Sequence, residues 1–325
     1  MIVSQENLIT ATGSDDRLDL QRHAKWTIIA IIAVSVSLVV AGVAYYALTR
    51  AGPTGPQVVA SFYPYRYFTS RVAGDRYSVV ALVPPGVEPH DWEPTPGDAA
   101  RMASSVAFVY NGYIELYLQG FFADLPPDQP VRINASAGLG VLHGGEGGAS
   151  AIDPHLWLDP VYVETTAMNI ADGLTKADPA GNATYHANAA RLVQDLEALN
   201  ATFESGLAHC GRREFITQHE AFAYLAKRYN LTQYAIQGLS PDQEPTPAQI
   251  QQILNVINQT GSKYIFYEEL VSPAVAQALA QEAHVQTMVL SPIEGLNATE
   301  SQNGDTYLTL MEMNLANLRT ALECT

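Results

Sequence analysis

The sequence predicts an α/β protein: two lobes, each with a mainly parallel sheet flanked by helices, joined by one long helix and preceded by a transmembrane anchor. Three observations predict it. Short apolar runs bounded by turn residues alternate with helical patterns along most of the chain, as they do in parallel sheets covered on both faces. Between two such stretches lies one helical pattern of unusual length, over 182–207. Near the N-terminus, residues 26–48 (WTIIAIIAVSVSLVVAGVAYYAL) carry no charge, and about 20 apolar residues span a bilayer.

Trp26 opens that apolar run and Tyr45 and Tyr46 stand near its far end, where interfacial aromatics belong. The run is longer than the apolar core of a cleaved signal peptide, about 7–15 residues, and a polar segment precedes it. The small residues AGVA at 41–44 are the competing peptidase site. Arg17, Arg22 and Lys25 precede the run and only Arg50 follows closely. The positive-inside rule therefore puts residues 1–25 in the cytoplasm, the anchor at 26–48, a linker at 49–56 and the remainder outside.

Past the linker, QVVASFY at 57–63 reads as a buried strand and YRYFTSRVA as a helix. YSVVALV at 77–83 is a second strand, ending in VPPGVEPHDWEPTP at 83–96. Prolines in that stretch fix φ and remove backbone donors, so it is a stiff loop that holds His90 in place. A helix follows over 95–104, with Thr95 as N-cap and Pro96 at its first position. VAFVY at 106–110 is a third strand, and another helix leads to strand VRIN at 131–134. Residues 138–151 (GLGVLHGGEGGASA) read as a mobile glycine-rich loop with no phosphate-binding pattern, in which His143 is most simply a solvated side chain. A helix over 161–176 completes the first lobe, 57–181.

Tyr185, Ala189, Leu192, Leu196, Leu199, Phe203 and Leu207 recur in steps of three and four, which traces one face of a helix. At 1.5 Å per residue the helix over 182–207 is nearly 40 Å long, about the width of a small domain. The alternation then restarts as a second lobe, 208–325: EFIT, a helix over 219–229, TQYAI at 232–236, a helix over 246–260, YIFY at 264–267, a helix over 273–283, VQTMVL at 285–290 and a final helix over 305–322.

The net charge of −16 excludes the basic footprint of a nucleic-acid binder and suits an exposed domain that attracts cations. Six Asn-x-Ser/Thr triplets begin at Asn134, Asn182, Asn200, Asn230, Asn258 and Asn297, all on the outer side of the anchor, which makes N-glycosylation plausible. Cys210 and Cys324 also fall outside, where an oxidising space lets them pair; two free thiols are the alternative.

Metal chemistry needs histidines and carboxylates that converge from distant positions. His90 follows the strand YSVVALV, His219 follows EFIT, and His155 lies in IDPHLWLDP directly before a helix. Ligand crevices of open α/β sheets lie outside the carboxyl ends of the strands, so loops of both lobes offer a histidine to one cleft. Glu294, in SPIEGL after VQTMVL, occupies the equivalent edge. Any one histidine alone is more often a satisfied polar residue than a ligand; the recurring placement is the argument. His23, His186, His209 and His284 do not share it.

VEPHDWEPTP, DPHLWLDP, ITQHEAFAYLAKRYNL, GLSPDQEPTPAQI, YIFYEELVSPAVAQALA and VLSPIEGL, in this order over about residues 57–322, resemble the metal-binding solute-binding proteins of zinc and manganese ABC transporters, the cluster A-I family. The resemblance implies two lobes bridged by a rigid helix, a metal held between them, and delivery to a membrane permease and its ATPase. His90, His155 and His219 match the three family histidines, and Glu294 matches the glutamate of the zinc-binding branch. The implied cargo is Zn2+, with Mn2+ second, because three imidazoles and one carboxylate suit tetrahedral zinc. Asp91 and Glu93 are then expected to orient neighbouring groups, with Glu88 a weaker candidate for direct contact. Glu220, beside His219, is expected to point elsewhere.

The segment between the first two ligand histidines is short and lacks the histidine-rich loop of many zinc binders, and a transmembrane helix replaces the acylated cysteine. A zinc-protease reading of ITQHEAFAY fails because H-E-x-x-H requires a second histidine where Ala223 stands. A surface adhesin on the same fold is the remaining alternative.

Overall fold

The computed structural model describes residue 26 and residues 34–42, 56–144 and 151–325. Residues 34–42 are helical and exposed. The expected anchor at 26–48 otherwise lies outside the described residues, and among those described no helix is long and apolar enough to cross a membrane. Residues 55–325 form one compact unit that holds both lobes.

Four short strands, β1 (Gln57–Ala60), β2 (Ser78–Ala81), β3 (Ala107–Tyr110) and β4 (Val131–Asn134), build the first sheet. All pair in parallel in the order β2-β1-β3-β4, with Val58 level with Val79 and Ala107. A hairpin of β5 (His143–Gly144) and β6 (Ala151–Ile152) follows. Within the stretch 138–151, expected to be a mobile loop, His143 and Gly144 therefore pair with Ile152 and Ala151; residues 145–150 lie outside the described residues. The second sheet holds β7 (Glu214–Thr217), β8 (Thr232–Ala235), β9 (Tyr264–Tyr267) and β10 (Gln286–Val289), again parallel, in the order β8-β7-β9-β10. The two sheets thus share one strand order. Parallel strands need crossovers, and helices supply them.

In the first lobe the helices are α1 (Tyr63–Ala73), α2 (Pro96–Ser104), α3 (Leu118–Ala123) and α4 (Pro160–Ala177). Thr95 and Asp98 close a reciprocal capping box at the start of α2, as the sequence TPGD indicates. Helix α5 (Asn182–Gly206) is the long bridging helix. Its buried residues are Tyr185, Ala189, Leu192, Leu196, Leu199 and Phe203, the face that the spacing predicts. It packs along α1 and α4 and reaches α10 (Tyr307–Ala321) of the second lobe.

The second lobe also carries α6 (Ala223–Arg228), α7 (Pro247–Thr260), α8 (Ala274–Ala283) and α9 (Ala298–Asn303). One sequence expectation changes here, and one helix is added. The helix expected over 219–229 begins only at Ala223, because residues 218–222 are held as a loop. The His219 carbonyl accepts hydrogen bonds from the Thr217 hydroxyl and Gln233 Nε2, and Gln233 Oε1 accepts the Phe222 N–H. The final helix expected over 305–322 forms as α10, and a short helix that the spacing did not indicate, α9, capped by Asn297 and Glu300, precedes it across Gly304 at φ +76°. Cys210 and Cys324 form a disulfide that ties the chain's end to the segment after α5.

Buried hydrogen bonds join the lobes. Trp157 Nε1–H donates to the Pro292 carbonyl at 2.7 Å, and the Tyr307 hydroxyl donates to the Trp157 carbonyl at 2.6 Å. Tyr224 Oη donates to the Asp153 carbonyl and accepts the Leu142 N–H, both at 2.8 Å. Arg228 grips the Asp159 carboxylate through Nε and Nη2 at 2.8–3.0 Å. The sheet crevices therefore face each other across a pinned seam.

Candidate metal centre

The structure brings His90, His155, His219 and Glu294 together, with one donor atom from each within 4.8 Å of all the others. Three are fully enclosed; the His90 side chain keeps 10% of its exposure. Nε2 of His155 lies 3.2 Å from His90 Nε2, 3.3 Å from His219 Nε2 and 3.2 Å from Glu294 Oε1. Glu294 Oε1 lies 3.3 Å from His90 Nε2 and 3.9 Å from His219 Nε2. Bonds of about 2.0–2.1 Å to a tetrahedral zinc place neighbouring donors roughly 3.3 Å apart. Four of these five distances match that spacing, and the fifth, from Glu294 to His219, is longer at 3.9 Å.

Each donor is held by its local structure. His90 sits in the proline-rich loop after β2, and its N–H donates to Glu88 Oε1 at 2.9 Å. His155 lies in a turn whose Pro154 carbonyl accepts from Asn111 Nδ2 at the carboxyl end of β3. Its ring Nδ1 donates to Asp153 Oδ1 at 2.8 Å. His219 follows β7, and its Nδ1 donates to Glu268 Oε1 at the end of β9. A carboxylate only accepts, so both Nδ1 atoms carry a proton and both Nε2 atoms face the centre. Such carboxylate–histidine pairs orient metal ligands and raise their basicity.

Glu294 is aimed by backbone strain. Ile293, fully buried and β-branched, adopts φ +57°, a conformation such residues rarely take. The turn is pinned by Asn314, whose side chain accepts the Ser291 N–H and donates to the Ser291 carbonyl, and by Trp157 on the Pro292 carbonyl. Glu294 Oε2 is buried, and the Glu88 carboxyl lies within hydrogen-bonding reach of Glu294.

The electrostatics are those of a cation site. Burial alone would lower the His155 pKa, but Asp153 and Glu294 outweigh it and hold it at about 9. Burial works to raise Glu294, and the histidines outweigh it, holding its carboxyl well below the usual range. A proton on His155 thus balances the Glu294 charge near neutral pH, and a divalent cation would replace it. We expect metal binding at pH 7 to release about one proton. Affinity should then rise about tenfold per pH unit below pH 9, because a protonated imidazole cannot coordinate. Calorimetry in buffers of different ionisation enthalpy reads the count directly, and zero protons released would contradict the charge assignment.

Of the acidic neighbours, Asp91 and Glu93 are exposed and Asp91 hydrogen-bonds Asp242, while Glu88 is the one whose carboxyl holds the His90 backbone. Burial and the Glu294 charge push the Glu88 carboxyl up to about 11, leaving it neutral beside the cluster. Glu220 turns its carboxylate against Gly144 of the β5–β6 hairpin, away from the histidines. Sequence reasoning missed Asp153 and Glu268. Their signal was modest: an acid two residues before a candidate histidine, and an acid at a strand's carboxyl end. A cleft of about 350 Å³, lined in part by Tyr63, Arg66, Val83 and Leu296, reaches Glu294 from outside.

A buried four-donor centre set between two α/β lobes that hydrogen bonds pin together defines the class: a two-lobed solute-binding protein. The chain belongs to the family of the periplasmic component A of zinc-uptake complexes, ZnuA, whose model matches residues 58–321. It is 36% identical over 312 residues to the high-affinity zinc uptake system protein ZnuA of Bacillus subtilis, covering 92% of this chain and 98% of that protein. Among solved structures, Zn(II)-bound AdcA of Streptococcus pneumoniae superposes with a TM-score of 0.73 at 36% identity, over 83% of this chain and 58% of that one. The laminin-binding protein Lmb of Streptococcus agalactiae, described as bifunctional in adhesion and metal transport, gives 0.74 at 33% identity, over 82% of this chain and all of that one.

Proposed function

We propose that the protein is an extracytoplasmic zinc-binding protein that captures Zn2+ between its lobes through His90, His155, His219 and Glu294 and delivers it to the permease of an ABC transporter. The observation that carries this reading is the donor set itself: three histidines and one carboxylate whose donor atoms converge within 4.8 Å of one another, with carboxylates behind two of the rings. Imidazole-rich tetrahedral sites favour zinc, whereas manganese prefers oxygen-rich octahedra. Four protein donors leave no open position for an activated water, which fits carriage of the ion and not hydrolysis.

The segment 26–48 serves as an uncleaved membrane anchor in this reading, with residues 1–25 cytoplasmic and 49–56 a linker. The lobes are 57–181 and 208–325, bridged by 182–207. The deciding experiment is elemental analysis of protein purified without added metal, followed by competition calorimetry. One equivalent of zinc, and zinc displacing manganese, is the expected result. Tighter manganese binding, or no metal at all, would remove the reading.

A further inference from the structure

Fourteen asparagines stand in the chain, six of them in Asn-x-Ser/Thr triplets. Since 39 of 325 residues are serine or threonine, chance placement yields about two such triplets. The excess lies wholly in the part read above as extracytoplasmic.

The fold separates the six. Asn134 lies in β4, with its Oδ1 accepting the Ser136 N–H. Asn182 opens α5 with its Oδ1 on the Thr175 hydroxyl. Asn200 is inside α5, accepting from the Tyr229 hydroxyl and donating to Glu204. Asn297 caps α9, its Oδ1 holding the Thr299 and Glu300 N–H groups. Asn258 is exposed but lies within α7, and its triplet's hydroxyl, on Thr260, donates to the Val256 carbonyl. Asn230 differs from all of them. It occupies the turn between α6 and β8 at φ +54°, it is exposed, and Thr232 is exposed with it. Among the described residues neither side chain makes a hydrogen bond.

We propose that Asn230 is an N-glycosylation site, a reading that rests on the extracytoplasmic location given above. The co-reactant is an oligosaccharide carried on a lipid phosphate or diphosphate. Asn230 Nδ2 bonds to the anomeric carbon, the bond from that carbon to the phosphate oxygen breaks, and the lipid phosphate leaves with the electron pair. The amide proton passes to a base of the transferase. Asn230 precedes the amino end of β8, whereas the metal donors gather at the carboxyl ends of the strands, so a glycan there leaves the cleft open. It would also cover the start of β8, an open sheet edge that otherwise offers unpaired backbone groups to other chains.

The test uses full-length protein from its native membrane. Electron-transfer fragmentation of a peptide spanning residues 229–234 should place a glycan on Asn230. Asn230→Gln and, independently, Thr232→Ala, which leaves the asparagine in place, should each remove that mass, with zinc affinity unchanged within twofold. An unmodified Asn230, or a glycan that survives Thr232→Ala, overturns the proposal. Protease shaving of intact cells in the same preparation distinguishes this outcome from a failure of location: cleavage with a bare Asn230 sinks only the glycan, and protection from protease sinks both.

Discussion

Replacing His155 by alanine is expected to weaken zinc binding at least 100-fold while leaving the protein folded. Zinc held by four protein ligands is worth about 10–16 kcal/mol, so one ligand carries roughly 3 kcal/mol, or two powers of ten in affinity. His155 should lose more than the average, because its Nε2 lies 3.2–3.3 Å from the donor atoms of the other three ligands. The fold should tolerate the change because Asp153 also accepts the backbone N–H of residue 155, at 2.9 Å, and alanine keeps that bond. Trp157, fully buried and stacked edge-on against Phe62, continues to fill the space behind. Competition with a chelator of known affinity measures the first half, and circular dichroism with a thermal scan measures the second. An unchanged affinity in a folded variant would remove His155 from the ligand set.

Reducing the Cys210–Cys324 disulfide should lower stability by about 4–5 kcal/mol, the loop-closure value for a crosslink spanning on the order of 100 residues. For a chain of this size that is roughly a 10 °C fall in Tm. Helix α10 is pinned at both ends, at Tyr307 by the Trp157 carbonyl and after Ala321 by the disulfide. Reduction frees the end far from the zinc donors, so affinity measured below the new Tm should change little. Scanning calorimetry with and without a phosphine reductant reads the first quantity. Equal Tm values after confirmed reduction would show that packing of α10 alone holds the C-terminus.

The parts of the fold legible in the sequence are those written in local periodicity. The α5 face from Tyr185 to Phe203 could be read from spacing alone, because a helix against a core needs one apolar stripe. Thr95 and Pro96 mark the start of α2 because capping chemistry is local. Less legible were the places where tertiary bonds override local preference. Residues 218–222 carry helix-compatible side chains, yet Gln233, on the neighbouring strand, holds them as a loop. Asp91 and Glu93 lie beside His90 in sequence but are exposed, whereas Asp153 and Glu268 hold the rings of His155 and His219. Which of Glu268 and Glu269 faces His219 depends on how β9 leaves the sheet, and no pattern in YIFYEEL specifies that. The four candidate donors could be picked out because each follows a strand or opens a helix at one crevice, a topological rule that needs no distances.

The bonds across the seam, Trp157 to Pro292, Tyr307 to Trp157 and Arg228 to Asp159, carry a kinetic consequence. A nanomolar site loaded at about 10⁷ M⁻¹s⁻¹ unloads at about 10⁻² s⁻¹, a dwell of more than a minute. A transport cycle that turns over faster than this cannot wait for spontaneous escape. With the lobes bolted together, an ion held between them would leave on a timescale set by the opening of that seam.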